Sequence, residues 1–215
     1  MNPTKAKLML AVTDLLKDDG IAGLSARAVA DRAGVNQALV FYHFGTVMDL
    51  VDQACRAATD EAAASYRDEL AEVTSLSELL ALGRELHERE RAAGNITVMA
   101  QLLAGAQRDK ALAETGRYAM GRWNEEIEAA VARALEGSPV EGVVDAPGLA
   151  RAISSAFIGL LMYDGVDRPG AESAFASLEQ LGALVEVVED LGPAARLVLR
   201  SRLKAEGQRH PESGR

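Results

Sequence analysis

Leu24-Ser25-Ala26-Arg27-Ala28-Val29-Ala30-Asp31-Arg32-Ala33-Gly34-Val35-Asn36-Gln37-Ala38-Leu39-Val40-Phe41-Tyr42-His43-Phe44 is the stretch whose reading decides the fold. Ser25 suits a helix N-cap, and Leu24 before it can pack on Val29 as a hydrophobic staple. A short helix over about Ala26 to Ala33 then stops at Gly34, which is free to take the left-handed turn. Asn36 is the next capping residue, with Val35 and Val40 as a second staple, and opens another short helix over about Gln37 to His43. Upstream, Leu8, Val12 and Leu15, flanked by Ala11 and Leu16, form the stripe of a first helix that Gly20 ends. Two short helices joined by a tight glycine turn can present the second of them to the major groove of DNA.

The identities in this ungapped block go further. They closely resemble the DNA-binding domain of the tetracycline-repressor family. Gly20 and Ile21 before the block, and Thr46, Leu50 and Val51 to Ala54 after it, extend the match over about the first quarter of the chain. The resemblance implies an all-α protein of about nine to ten helices. A helix-turn-helix domain over 1–46 would precede a ligand-binding and dimerisation domain over 47–206 and a flexible tail over 207–215. It also implies roles. Val29, Ala33, Val35, Val40 and Phe44 lock the helices together, while Asn36, Gln37 and Ala38 begin the recognition helix. Gln37 can pair in bidentate fashion with an adenine edge, and Ala38 and Leu39 can touch thymine methyls. Arg27 can reach a guanine or a phosphate, and Tyr42, His43 and Thr46 are expected on phosphates. Two positions depart from the family. Phe41 stands where tyrosine is usual, keeping the ring without the hydroxyl, and Val47 stands where lysine is frequent. Both changes remove backbone anchors, so weaker non-specific DNA affinity is expected.

The rest of the chain is also patterned as helices, punctuated by Gly and Pro. Thr46, with Asp49 three residues on, starts a fourth helix to roughly Leu70. Ser75 with Glu78 opens a fifth that stops near Gly94, and Asn95 caps a sixth over Ile96 to Ala106, apolar on most faces and therefore buried. A seventh runs from about Asp109 to Leu135, and Gly137, Pro139 and Gly142 form a loop. Asp145 with Pro147 starts an eighth, to about Asp164. A ninth covers Ala171 to Leu191, and a last short helix follows Gly192-Pro193. The longest uninterrupted apolar runs, such as Ala156 to Tyr163, fall short of the roughly 20 residues that span a bilayer, and the first residues lack the apolar block of a signal peptide. One cysteine, Cys55, fits a reducing cytoplasm.

By the resemblance, a small-molecule effector would bind among the fifth to eighth helices, and His87, Met99, Leu103, Tyr118, Met120, Trp123 and Phe157 are the candidate lining. Glu85, Glu88 and Glu90 could complement a cation there, although solvated helix surface is the commoner use of such charges. The eighth and ninth helices carry stripes wide enough for a homodimeric four-helix bundle, with Leu160, Ala174, Leu178, Leu181 and Val185 at the seam. A two-fold dimer implies a palindromic double-stranded DNA operator. No cofactor, metal or membrane partner is expected. Glycine-rich phosphate loops, GxSxG and HExxH are absent from the sequence, and its three histidines are far apart, so an enzyme is not expected. The net charge of −9 runs against nucleic acid as a partner. Residues 1–54 hold five cations and six acids, a net −1, which leaves −8 for the remainder. That acid balance favours the alternative of a helical ligand-binding or scaffolding protein with weak or no DNA binding.

Overall fold

Asn2 opens the first helix: its side-chain oxygen accepts the Thr4 N–H at 2.8 Å, and Pro3 follows at a position where no backbone donor is needed. The structure is a computed structural model that describes residues 2–138 and 140–189, together with 195, 198, 201 and 202. Among these residues there are nine α-helices and no strand: α1 Pro3–Asp18, α2 Ala26–Ala33, α3 Ala38–Phe44, α4 Val47–Glu72, α5 Leu76–Ala92, α6 Asn95–Ala106, α7 Lys110–Leu135, α8 Ala146–Asp164 and α9 Arg168–Glu189. The all-α expectation holds, and the boundaries lie within about three residues of those read from the sequence. Pro139, the helix expected after Gly192-Pro193 and the tail from Gly207 lie outside the described residues, apart from the helical positions 195, 198, 201 and 202.

The caps explain most of these starts. Ser25 Oγ accepts the Ala28 N–H, Asp145 Oδ2 accepts that of Gly148, and Asp109 Oδ1 accepts those of Ala111 and Leu112. Thr46 and Asp49 close a reciprocal cap on α4: the Asp49 N–H donates to Thr46 Oγ1 at 3.0 Å, and the threonine hydroxyl donates to Asp49 Oδ2 at 2.7 Å. Asn95 is a correction. It is the first residue of α6 rather than its cap, because Gly94, left-handed at φ 75°, takes the capping position. The Asn95 amide instead donates to Glu90 Oε2 at 2.9 Å. The expected burial of α6 on most faces is also corrected, since of its residues only Leu102 is fully buried.

The chain divides into two compact units, Met1–Tyr66 with Leu86–Trp123, and Arg67–Glu85 with Asn124–Arg215. The core of the first is built by Leu8, Val12, Leu15 and Leu16 of α1, Val29 of α2, Val40 and Phe44 of α3, and Leu50 and Val51 of α4. α6 joins it through Leu102, Val98 and Met99. Gly105 permits that approach: a Cβ there would stand 2.5 Å from Leu112 Cδ1 and 2.9 Å from Ile21 Cδ1. Polar ties between α4 and α7 lie in the same unit. Buried Thr115 donates to Asp52 Oδ1 at 2.5 Å, Arg56 holds both Asp52 oxygens at 2.8 Å, and Tyr118 donates to Asp60 Oδ1 at 2.8 Å.

In the second unit α8 and α9 pack together, with Phe157 and Phe175 edge to face at 6.0 Å. Arg84 of α5 reaches α9 by an ion pair to Glu179 at 3.0 Å, with its guanidinium 5.8 Å from the Phe175 ring centroid. Gly182 lets α9 lie close to α5, since a Cβ there would meet the Ser77 backbone at 3.2 Å. Arg133 of α7 donates to the Leu70 carbonyl at the end of α4 at 2.6 Å, satisfying one of the acceptors a helix leaves open at its C-terminus.

Candidate nucleic-acid interface

Gly34 ends α2 in the left-handed conformation, at φ 65° and ψ 39°, and the Val35 N–H closes the turn on the Ala30 carbonyl at 3.0 Å. Asn36 Oδ1 then accepts the Ala38 N–H at 2.8 Å, so this side chain organises the start of α3. Val40 and Phe44 face inward and are buried, and Leu39 is half-buried. What remains outward is Gln37, Ala38, Phe41 and Tyr42, with Phe41 50% and Tyr42 80% exposed. Exposed aromatic rings of this size on a short helix otherwise buried on its back invite a partner. The Tyr42 ring meets His43 edge-on at 4.8 Å.

The DNA candidates therefore divide by geometry. Gln37, Ala38, Phe41 and Tyr42 share the open face of α3. Leu39 is turned partly into the core, which leaves Ala38 and Phe41 as the open apolar side chains. Asn36 and Thr46 already use their side-chain oxygens in caps. Arg27 projects from α2 with 84% of its side chain exposed and only a 3.7 Å contact to Asp31, a pair too solvated to hold it in place. Arg32, by contrast, is tied back to Asp18 at 2.8 Å. Sequence reasoning missed Lys5, whose ammonium lies 5.2 Å from the Phe44 ring centroid, at the C-terminal end of α3. That end carries the negative pole of the helix, so a cation is favoured there. An early cation in α1 was the only sequence signal for it. Val47 is half-buried and packs against the first core.

The proposed effector lining draws on both compact units. His87 is buried, Met99 packs on the first core, and Leu103 and Met120 are half-buried. Tyr118 has the Arg56 guanidinium 4.4 Å from its ring centroid. The Asp60 carboxylate that accepts its hydroxyl proton raises its pKa above the ordinary tyrosine value. Trp123 stacks on Tyr66 at 5.9 Å. These six belong to the first compact unit, whereas Phe157 belongs to the second. Cys55 offers no nucleophile: burial, with the Asp52 charge adding to it, pushes its thiol up to about 11.

Of the dimer candidates, Leu160 is buried within its own unit, Ala174 and Leu178 are half-buried, and Leu181 is 58% exposed. The side chain of Val185 lies outside the described residues. Leu181 is exposed together with Leu184 and Val187 on α9, and Met162, Tyr163 and Val166 are exposed at the end of α8. α8 as a whole is more apolar than its uninterrupted runs suggested. With a mean hydropathy of 1.2 it is long and apolar enough to cross a membrane by length and composition alone, and 17% of it is buried.

Residues 5–54 match the family described as bacterial regulatory proteins, tetR family. A helix-turn-helix-type transcriptional regulator of Mycobacterium tuberculosis is 26% identical over 163 residues, 76% of this chain and 83% of its own length. Two solved structures share the fold. A TetR transcription regulator from Haloarcula marismortui has a TM-score of 0.69 and 19% identity, covering 86% of this chain and 98% of its own. A transcriptional regulator from Saccharomonospora viridis in complex with choline has a TM-score of 0.68 and 19% identity, covering 84% and 95%. The recognition block, folded as two helices about Gly34 with α3 open on one face, lies within the residues that match this family, so the N-terminal part of the chain is similar to the DNA-binding part of tetR-family regulators.

Proposed function

We propose that the protein is a cytoplasmic, non-enzymatic repressor that binds a palindromic operator as a homodimer and leaves it when a small molecule binds. The observation that carries the reading is the open face of α3, where Gln37, Ala38, Phe41 and Tyr42 have no intramolecular reason to be exposed together. Gln37 supplies the directional hydrogen bonds, Ala38 and Phe41 the apolar contact to methyl groups, and Tyr42, Arg27 and Lys5 the phosphate contacts that fix register. Dimerisation is supported by the apolar side chains that α8 and α9 leave open, and two copies of that pair would make a four-helix bundle. Effector binding is supported by the fold relative held with choline. An effector that prefers the DNA-free form lowers operator affinity by its differential binding energy, typically about 1–3 kcal/mol.

The test is selection of bound duplexes from a random pool, followed by titration of the selected site. A palindromic site is expected, and Gln37→Ala should weaken it by about 1–3 kcal/mol while relaxing preference at one base pair in each half-site. Selection that enriches no sequence would sink the repressor and leave a ligand-binding or scaffolding protein.

A further inference from the structure

Tyr66 of α4 and Trp123 of α7 stack with ring centroids 5.9 Å apart and planes 28° from parallel. The Tyr66 hydroxyl donates to Glu90 Oε1 at 2.6 Å, and the Asn95 amide donates to Glu90 Oε2 at 2.9 Å. Both donors are neutral, so they fix the direction of the carboxylate without cancelling its charge. Glu90 is half-buried, whereas Glu85 and Glu88 on the same helix are exposed. A partly desolvated carboxylate held by neutral groups gains most from a positive charge brought to it. The rings beside it offer the negative faces that attract the same charge. That attraction is already visible at Tyr66, where the Arg89 guanidinium lies 5.8 Å from the ring centroid.

We infer that Glu90, Tyr66 and Trp123 form a recognition site for an organic ammonium ion, the charge set toward the Glu90 carboxylate and the alkyl or aryl body against the stacked rings. The inference rests on the reading of the chain as an effector-released repressor and names the chemical class of the effector. It also gives Asn95 a purpose: with its side chain turned from the helix end to Glu90, it holds the carboxylate in one orientation. Tyr66, Glu90, Asn95 and Trp123 all lie in the first compact unit.

Trp123 is the chain's one tryptophan, so its fluorescence reports directly on the stack. The probes are benzyltrimethylammonium, benzyl alcohol and benzoate, three benzyl or phenyl compounds that differ in charge, titrated into the full chain by fluorescence and calorimetry. The cation is expected to bind about tenfold or more tighter than the alcohol, and benzoate weakest. Glu90→Gln keeps an oxygen acceptor and removes the charge, and it should bring cation and alcohol to within about threefold of each other. Trp123→Leu, followed by calorimetry, should weaken the cation severalfold without altering the helical melting curve, and it decides the matter if Glu90→Gln melts early. Equal or tighter binding of benzyl alcohol or benzoate, no cation binding at millimolar concentration, or a cation preference unchanged by Glu90→Gln would each overturn the inference. Binding to the selected operator is measured on the same samples. Tight operator binding with no cation preference removes this effector class alone, whereas absent operator binding removes the repressor reading.

Discussion

Among the described residues, seven of the nine largest fully buried side chains, Leu8, Val12, Leu16, Val29, Val40, Leu50 and Val51, belong to α1–α4, whereas α8, α9 and the turn between them leave Met162, Tyr163, Val166, Leu181, Leu184 and Val187 about half exposed or more. Similar residue types are used in both places, but in one they meet each other and in the other they meet solvent. Fully burying a leucine is worth about 1.5–3 kcal/mol. The first region has taken that energy within one chain, and the second leaves it available to the dimer contact proposed above. In the homodimer proposed above, a closed core beside an open apolar face would let two heads be set at a fixed spacing.

Truncation should separate the two regions most clearly. Leu50→Ala is expected to lower unfolding free energy by about 2–5 kcal/mol, read from urea transitions, because the cavity opens in a closed core. Leu184→Ala in dilute subunits should cost within about 0.5 kcal/mol. Equal costs would end the contrast. Next in size, Leu181→Glu with Leu184→Glu should give a folded monomer by sedimentation whose operator affinity falls about a hundredfold, or about 2.7 kcal/mol. An unchanged dimer would place the seam elsewhere.

Smaller changes sharpen the first region. Gly34→Ala meets no atom within 4 Å, so its cost is that of the left-handed backbone alone, about 1–2 kcal/mol by urea denaturation. Val47→Lys should cost about 1 kcal/mol, since the lysine stem must escape a half-buried position and its charge opposes the α4 dipole. In return, each phosphate contact it makes should steepen the log-affinity against log-salt slope by about 0.9. An unchanged slope would show that position 47 faces away from the DNA backbone. The smallest effect is at Glu78, whose carboxyl is held below its ordinary range first by the Thr74 N–H, then by the Thr74 hydroxyl, with the Ser75 backbone adding to them. Because its pKa is lowered in the folded state, its contribution is present above the unfolded value of about 4.3 and is lost as pH falls below that. Comparison of urea midpoints for Glu78→Gln and the parent chain should show a slight gap at neutral pH that closes in acid. The residue is almost wholly exposed, so solvent screens most of this effect.

The parts legible in sequence were those settled by local chemistry. Ser25, Asn36, Thr46 and Asp145 cap helices with side-chain oxygens that reach only two or three residues along their own chain. Asn95 looked the same and was misread, because a glycine before it took the cap and a carboxylate on the preceding helix drew its amide away. Direction was harder than existence. Leu160 and Leu181 sit on equally apolar stripes, yet one faces inward and the other outward, and only the packing of neighbouring helices decides which. For the same reason the sequence did not show that Met99 touches the first core or that Lys5 lies against Phe44.

The thiol of Cys55, 5% exposed and shifted to about 11, has a kinetic consequence. At neutral pH it is closed to alkylating reagents while α4 is packed, so modification must wait for the helix to open. The chain thus carries its own clock. Iodoacetamide labelling at fixed pH measures how often this stretch of α4 opens, without any introduced probe. Operator DNA should slow that clock if it clamps the reading head, and an effector that loosens α4 should quicken it.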